Sequence, residues 1–360
     1  MYIVNPKEWR DNFLRTIEMR YPKFIPCKVY FSQATWHKYR ERLEDLALRY
    51  KRLFPGFKRG SIDFDNFGVQ RKGNVFVDSW GCVWAFAQDG LQGQVIKHPL
   101  SDWRNLDKLK VPDPDEGLPV EGGPSISWDV VEEQVRKARE VGGLAIVYMP
   151  HGFFFQRLYY LRGYVNLMVD FVRKSPQLYK LIDILLEYNL ELVKRILRMN
   201  VDIIVFGDDL GNQDRMPISP STFREFIFPA YKRIFGLIRS HGVHVYLHTD
   251  GHVMEVVDQL IEAGVSVLNI QDRVNGIENI RMKCKGKVCI DLDIDRQWLL
   301  PFGTPEDIRS HIRRAIIKLG SRRGGLMFTA GVYPDVPLRN IEALCSALED
   351  YMEYHKKLSY

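Results

Sequence analysis

Two short runs carry most of the side chains whose types and spacing could do chemistry together: GDDLGNQ, Gly207 to Gln213, and VYLHTDGH, Val245 to His252. In the second, His248 and Asp250 stand two residues apart at the end of an apolar, β-prone stretch. Residues two apart on a strand face the same side, so both side chains can reach one ligand if the strand persists that far. An imidazole with a carboxylate suits zinc or another borderline divalent ion, and three protein ligands with one open position would make such a site catalytic. His248 and Asp250 are therefore the candidate metal ligands, and spacing alone does not supply the third. Asp208 and Asp209 join them as candidate catalytic groups. Each aspartate taken singly also fits a simpler role, since Asp209 and Asp250 lie where an aspartate commonly caps a helix. In that case His248 would donate a hydrogen bond to a neighbouring carboxylate in a metal-free polar pocket. What favours chemistry is convergence: several carboxylates aimed at one hollow repel each other unless a cation, a proton or a positively charged ligand offsets them.

Convergence requires a frame, and from about residue 125 helical and strand-like patterns alternate regularly. The runs LAIVYMP, VDIIVFGDD, VHVYLH, VSVLNIQ, KVCIDLD and GGLMFTAG are continuously apolar, as suits parallel strands buried on both faces. With KVYFS (residues 28 to 32) and one strand near Val75 to Phe86 they number about eight, which predicts an α/β fold: a single (β/α)8 barrel over residues 1–360. Residues 1 to about 120 would hold an N-terminal elaboration and the first strands, and 121–360 the regular β/α units. Ser219-Pro220 and Thr304-Pro305 mark helix starts. In such a barrel the reacting groups sit at the C-terminal ends of the strands. That criterion adds His151, Gln213, Gln271 and Asp293 as candidate substrate contacts. Phe153, Phe154, Phe155 and Tyr159 form a candidate aromatic wall, with Phe154, Tyr159 and Arg162 placed in the substrate-binding set. No G-x-G-x-x-G opens a helix after a strand, so no nucleotide cofactor is expected.

Bulk properties restrict the partners. Net charge is +6, from 51 Lys plus Arg against 45 Asp plus Glu, with KRLFPGFKR the nearest thing to a basic cluster. So small an excess predicts no nucleic-acid binding. No run of 18 or more apolar residues occurs, and MYIVNPKEWRDNF carries charges where a signal peptide needs apolar residues, so a cytoplasmic protein without membrane association is expected. The five cysteines are odd in number and widely spaced, unlike a disulfide framework.

Taken together, GDDLGNQ, SPSTFREFIFPAYKRIF, VYLHTDG, IEAGVSVLNIQ, LLPFGTPEDIRSHI and VYPDVPLRNIEAL resemble the uroporphyrinogen decarboxylase superfamily, in order and spacing, from about Asp78 to the end. That superfamily holds the decarboxylases of haem synthesis and zinc-dependent methyltransferases acting on coenzyme M and corrinoids. The resemblance implies one (β/α)8 barrel with its site at the C-terminal rim, and a homodimer. True uroporphyrinogen decarboxylases carry an N-terminal Met-Arg-Gln-Ala-Gly-Arg motif, absent from CKVYFSQATWHKYRERL. Where they have an Asn-Leu-Gly-His-Gly-type segment, this chain has FTAGVYPD. Their substrate bears eight carboxylates, which an acidic rim would repel.

The thiol methyltransferases bind zinc through His-x-Cys and a later Cys. His248 matches that histidine, Asp250 stands at the first cysteine and Ala330 at the second. The resemblance therefore implies a divergent, methyltransferase-like enzyme that moves a methyl group between a small methylated substrate and a thiol or a corrinoid supplied by a partner protein. Its metal would be held by His248, Asp250 and Asp208 or Asp209, or be absent. Two alternatives are a decarboxylase, which a cluster of Arg157, Arg162 and Arg215 at the rim would favour, and a non-catalytic barrel that binds a ligand or a corrinoid protein.

Overall fold

The structure, a computed structural model, describes residues 5–120 and 123–358. Strands and helices alternate along it, and seven strands make up the principal sheet: Cys27–Phe31, Ile146–Tyr148, Ile203–Gly207, His244–Thr249, Val267–Gln271, Cys289–Asp293 and Leu326–Val332. This is an α/β fold with one strand fewer than the eight expected. The stretch near Val75 to Phe86 is not part of the principal sheet. Its strands Val75–Val77 and Val83–Ala85 pair antiparallel with each other, and the second pairs with Gln94–Lys97. Asp78 causes the reversal: its Oδ1 accepts the backbone N–H groups of Trp80 and Cys82 at 3.0 and 2.9 Å, closing a turn completed by Gly81 at φ +82°.

By internal contacts the chain resolves into two compact units, one of residues 1–71, 88–91 and 269–360, the other of residues 72–87 and 92–268. In the first, Cys27–Phe31 pairs in parallel with Leu326–Val332, which pairs in parallel with Cys289–Asp293. All five residues of Cys289–Asp293 and all seven of Leu326–Val332 are buried, which explains the absence of period-two alternation in their sequences. The helix Pro305–Leu319 begins with a full capping box between Thr304 and Asp307.

This unit also buries His355, whose Nε2 meets the Pro22 carbonyl at 3.1 Å. Burial disfavours the imidazolium and lowers its pKa below the ordinary 6.5. The unfolded chain then takes up a proton before the folded chain does, so this residue's contribution to stability is intact above pH 6.5 and is lost as pH falls through the depressed value. Urea unfolding midpoints should drop between pH 7.5 and 5 by more in the wild type than in His355→Gln. Equal drops would remove His355 as the cause.

In the second unit Ile146–Tyr148, Ile203–Gly207 and His244–Thr249 pair in parallel register, Gly207 lying opposite His248. The core here is aromatic. Phe153 packs on Phe206, Tyr231 and Phe235 with ring centroids 4.8, 5.2 and 6.1 Å away. Among the described residues no helix is long and apolar enough to cross a membrane.

Candidate metal centre

The loop after Ile203–Gly207 and the loop after His244–Thr249 are stitched together by backbone. Asp208 N–H donates to the His248 carbonyl at 3.0 Å, Gly211 N–H to the Asp250 carbonyl at 3.1 Å and His252 N–H to the Asn212 carbonyl at 2.7 Å. The two chains touch at Gly211 and Gly251, where a Cβ on either would collide with backbone of the opposite loop, and Gly251 also adopts φ +84°. This close approach explains both glycines and brings the GDD run beside the HTD run. Asp250 caps no helix, because the next one starts at Val257 rather than directly after Gly251. The intervening residues follow the fixed loop crossing instead.

The two adjacent aspartates have separate surroundings. Asp208 is fully buried, and all its partners are structural: Oδ2 accepts Phe155 N–H at 2.6 Å and the Tyr231 hydroxyl at 2.7 Å, while Oδ1 accepts Gln156 N–H at 2.8 Å. It thereby caps the helix Phe155–Arg162 from another segment, satisfying N–H groups that a helix start leaves open. Burial pushes its pKa up to about 6 against the opposing pull of those three donors. Asp209, half-buried, turns toward the rim. Its Oδ1 lies 3.4 Å from His151 Nε2 and 3.8 Å from His248 Nε2, and accepts Asp250 N–H at 3.0 Å. Burial would raise its pKa, but the His151 and His248 imidazoles and the Asp250 N–H reverse that and hold it well below the ordinary carboxylate range. His248 Nε2 is also 3.4 Å from Asp250 Oδ1, so the two-residue spacing does let both groups reach one point.

His151, Asp209 and His248 thus offer ligand atoms that all lie within 4.8 Å of one another. His151, expected only to contact substrate, is the group that completes a set of three. The fit to a metal can be judged from length. Charge-assisted hydrogen bonds close to about 2.7–2.9 Å, shorter than the 3.4 and 3.8 Å measured here. A tetrahedron of zinc bonds about 2.0–2.1 Å long has edges of roughly 3.4 Å. Two imidazoles and a carboxylate at these separations fit a divalent ion. Gly207 helps make the space, since a Cβ there would overlap the His151 ring.

The other expected contacts divide. Tyr159 stands beside the cluster, its hydroxyl 3.1 Å from Gln156 Nε2, and burial pushes its pKa up to about 12. Phe154 is fully buried, edge-on to Tyr231 at 6.1 Å, and so belongs to the core rather than to a wall, as do Phe153 and Phe155. The cap on Phe155 and Gln156 tucks all three rings inward. Arg162 binds Asp170 at 2.7 Å and the carbonyls of Leu100 and Ser101, which commits it to structure. Arg157 is buried against Asp78 at 2.7 Å, and Arg215 is exposed beside Asp214 at 3.1 Å. These three arginines therefore form no cluster at the rim. Gln213 is exposed in the loop. Gln271 and Asp293 belong to the other unit, both buried, and Asp293 lies 3.3 Å from Arg296 there. Gln156 was not singled out from sequence, although a lone amide inside FFFQRLYYLR was a signal of a polar partner at that depth.

Comparison with known proteins gives this geometry a lineage. The family described as Uroporphyrinogen decarboxylase (URO-D) matches residues 61–351. The Methylcobamide:CoM methyltransferase MtaA of Methanosarcina barkeri is 22% identical over 50% of this chain and 51% of its own length. The chain thus spans about half the length of that relative. The uroporphyrinogen decarboxylase of Prochlorococcus marinus is 22% identical over 96% of this chain and 90% of its own. A methyltransferase from Methanosarcina mazei superposes with a TM-score of 0.65 at 18% identity, covering 95% of this chain and 98% of its own, which shows a shared fold. With the family pattern running from residue 61 to 351 and through every loop that builds the cluster, the chain belongs to the uroporphyrinogen decarboxylase family.

Proposed function

We propose that this protein is a methyltransferase-like member of the family, in which His151, Asp209 and His248 hold zinc or another divalent metal. It moves a methyl group between a small methylated substrate and a thiol or a corrinoid carried by a partner protein. The observation that carries the reading is the convergence of three potential ligands. Asp209 Oδ1 lies 3.4 and 3.8 Å from the His151 and His248 Nε2 atoms, and the three ligand atoms all fall within 4.8 Å of one another, the first distance equal to the roughly 3.4 Å edge of a tetrahedral zinc site. A bound ion would supply Lewis acidity, polarising a leaving atom or keeping a thiol in its nucleophilic form at neutral pH. The residues of this chain orient and neutralise. Asp209 balances part of the cation's charge, and Asp250, 3.4 Å from His248, is placed to hold the proton a thiol releases. Tyr159 closes the site on its aromatic side. In the transfer, the bond from methyl carbon to its donor atom breaks as the bond to the acceptor forms, and the donor atom keeps the electron pair. A carboxylate-rich porphyrinogen is disfavoured because Arg157, Arg162 and Arg215 are dispersed and Arg157 and Arg162 already paired.

Elemental analysis of purified protein, followed by equilibrium dialysis against zinc, cobalt(II) and iron(II), tests the proposal. About one ion per chain is expected for at least one of them. Protein that neither carries nor takes up any would refute the metal reading. Gly207→Ala probes the same geometry without removing a donor. Its methyl displaces the His151 ring, so the variant should fold yet bind metal at least about tenfold more weakly, the scale on which outer contacts act on metal affinity.

A further inference from the structure

The orientation of Asp209 is imposed by one side chain, Gln156, which is itself almost fully buried. Its Oε1 accepts Asp209 N–H at 2.9 Å, and its Nε2 donates to Asp209 Oδ2 at 3.1 Å. The same Nε2 lies 3.1 Å from the hydroxyls of both Tyr159 and Tyr160. The amide can face only this way. Reversed, it would set oxygen against a carboxylate and an NH2 against an N–H, two repulsive contacts in a buried place. Room for it comes from Gly152, where a Cβ would meet Tyr160 Cε2 at 2.8 Å and Gln156 Cβ at 3.0 Å. Its backbone is fixed by the Asp208 cap. The two carboxylate oxygens of Asp209 are thereby given different work: Oδ2 is engaged by the amide, and Oδ1 faces His151, His248 and the Asp250 N–H.

We infer that Gln156 is the positioning residue of this centre, clamping Asp209 so that it presents a single oxygen, Oδ1, to the histidines and to a metal between them. The inference rests on the metal reading above but makes a separate claim about the protein without metal. Oxygen Oδ2 is kept from the ion, so the carboxylate occupies one position instead of two, and a place for substrate stays open. Gln156 acts through Asp209 and touches no reacting atom.

Two variants test it. Gln156→Met keeps the volume and removes both hydrogen bonds, while Gln156→Glu keeps an acceptor for Asp209 N–H and sets a carboxylate against Oδ2. In the metal-free protein, the imidazole nitrogen signals of His151 and His248 should shift in both variants while each stays folded below its unfolding transition. The urea unfolding midpoint of Gln156→Met should fall, because the Asp209 N–H loses its acceptor. Affinity for zinc should fall about 10- to 100-fold, as outer-shell losses typically do. If the imidazole signals stay where they are in the folded variants, or if wild-type protein binds zinc and the variants match it within about twofold, the clamp is overturned. Should the wild type bind no metal at all, the proposed function falls, and the imidazole signals alone decide whether Gln156 positions Asp209.

Discussion

His151→Ala and His248→Ala should each leave the protein without divalent metal at free concentrations that saturate the wild type. Zinc sites with four ligands bind with about 10–16 kcal/mol, which apportions roughly 3 kcal/mol to each ligand, or a factor of at least about a hundred in affinity. Both imidazoles approach the same oxygen of Asp209, at 3.4 and 3.8 Å, so losing either opens the cluster from a different side. Competition with a chromogenic chelator measures the effect, and His241→Ala, which alters an exposed histidine at a helix end, provides the control. On the proposed function, methyl transfer should be lost together with the metal. Wild-type affinity in both cluster variants would dismiss the three-donor site, because a metal bound elsewhere would be indifferent to them.

Asp208→Ala carries the second large effect, on stability. It deprives three buried donors of their acceptor: Phe155 N–H, Gln156 N–H and the Tyr231 hydroxyl. Each orphaned donor costs about 1–3 kcal/mol. Against this, the carboxyl is held at about 6 instead of 3.8, a penalty on its charged form of roughly 3 kcal/mol that the substitution recovers at neutral pH. A net loss of roughly 3 kcal/mol is expected from urea unfolding at pH 7.5. Asp208→Asn retains one acceptor and should lose less. Because the cap also fixes Gln156, metal affinity should fall in Asp208→Ala even in the folded fraction. An unchanged unfolding midpoint would show that the carboxylate is dispensable to the helix start.

These two results separate roles that two neighbouring aspartates do not reveal in sequence. In GDDLGNQ both are acids at the end of an apolar strand, and both were candidates for chemistry. Position decides between them. A one-residue step along an extended chain turns Asp208 inward, to the start of Phe155–Arg162, and Asp209 outward, to the histidines. Similarly, FFFQRLYYLR reads as an aromatic wall, but the cap from Asp208 draws Phe153, Phe154 and Phe155 into the core and leaves Tyr159 at the site. Arg162 is another case, a candidate substrate contact and one of three arginines whose clustering would favour a decarboxylase. Its partner, Asp170, comes one helix later and takes the charge.

The sequence by itself determined the alternation of buried strands and amphipathic helices, the family, and the pairing of His248 with Asp250, because these depend on periodicity and on residues close in the chain. The tertiary structure alone decided which residues form the candidate cluster. His151, Asp209 and His248 are separated by 58 and 39 positions and meet because three parallel strands run side by side and two glycines let their loops cross. No local pattern encodes a distance across strands. It is set by hydrogen-bond register and by the room a missing Cβ leaves, as at Gly207 beside His151 and at Gly152 beside Gln156.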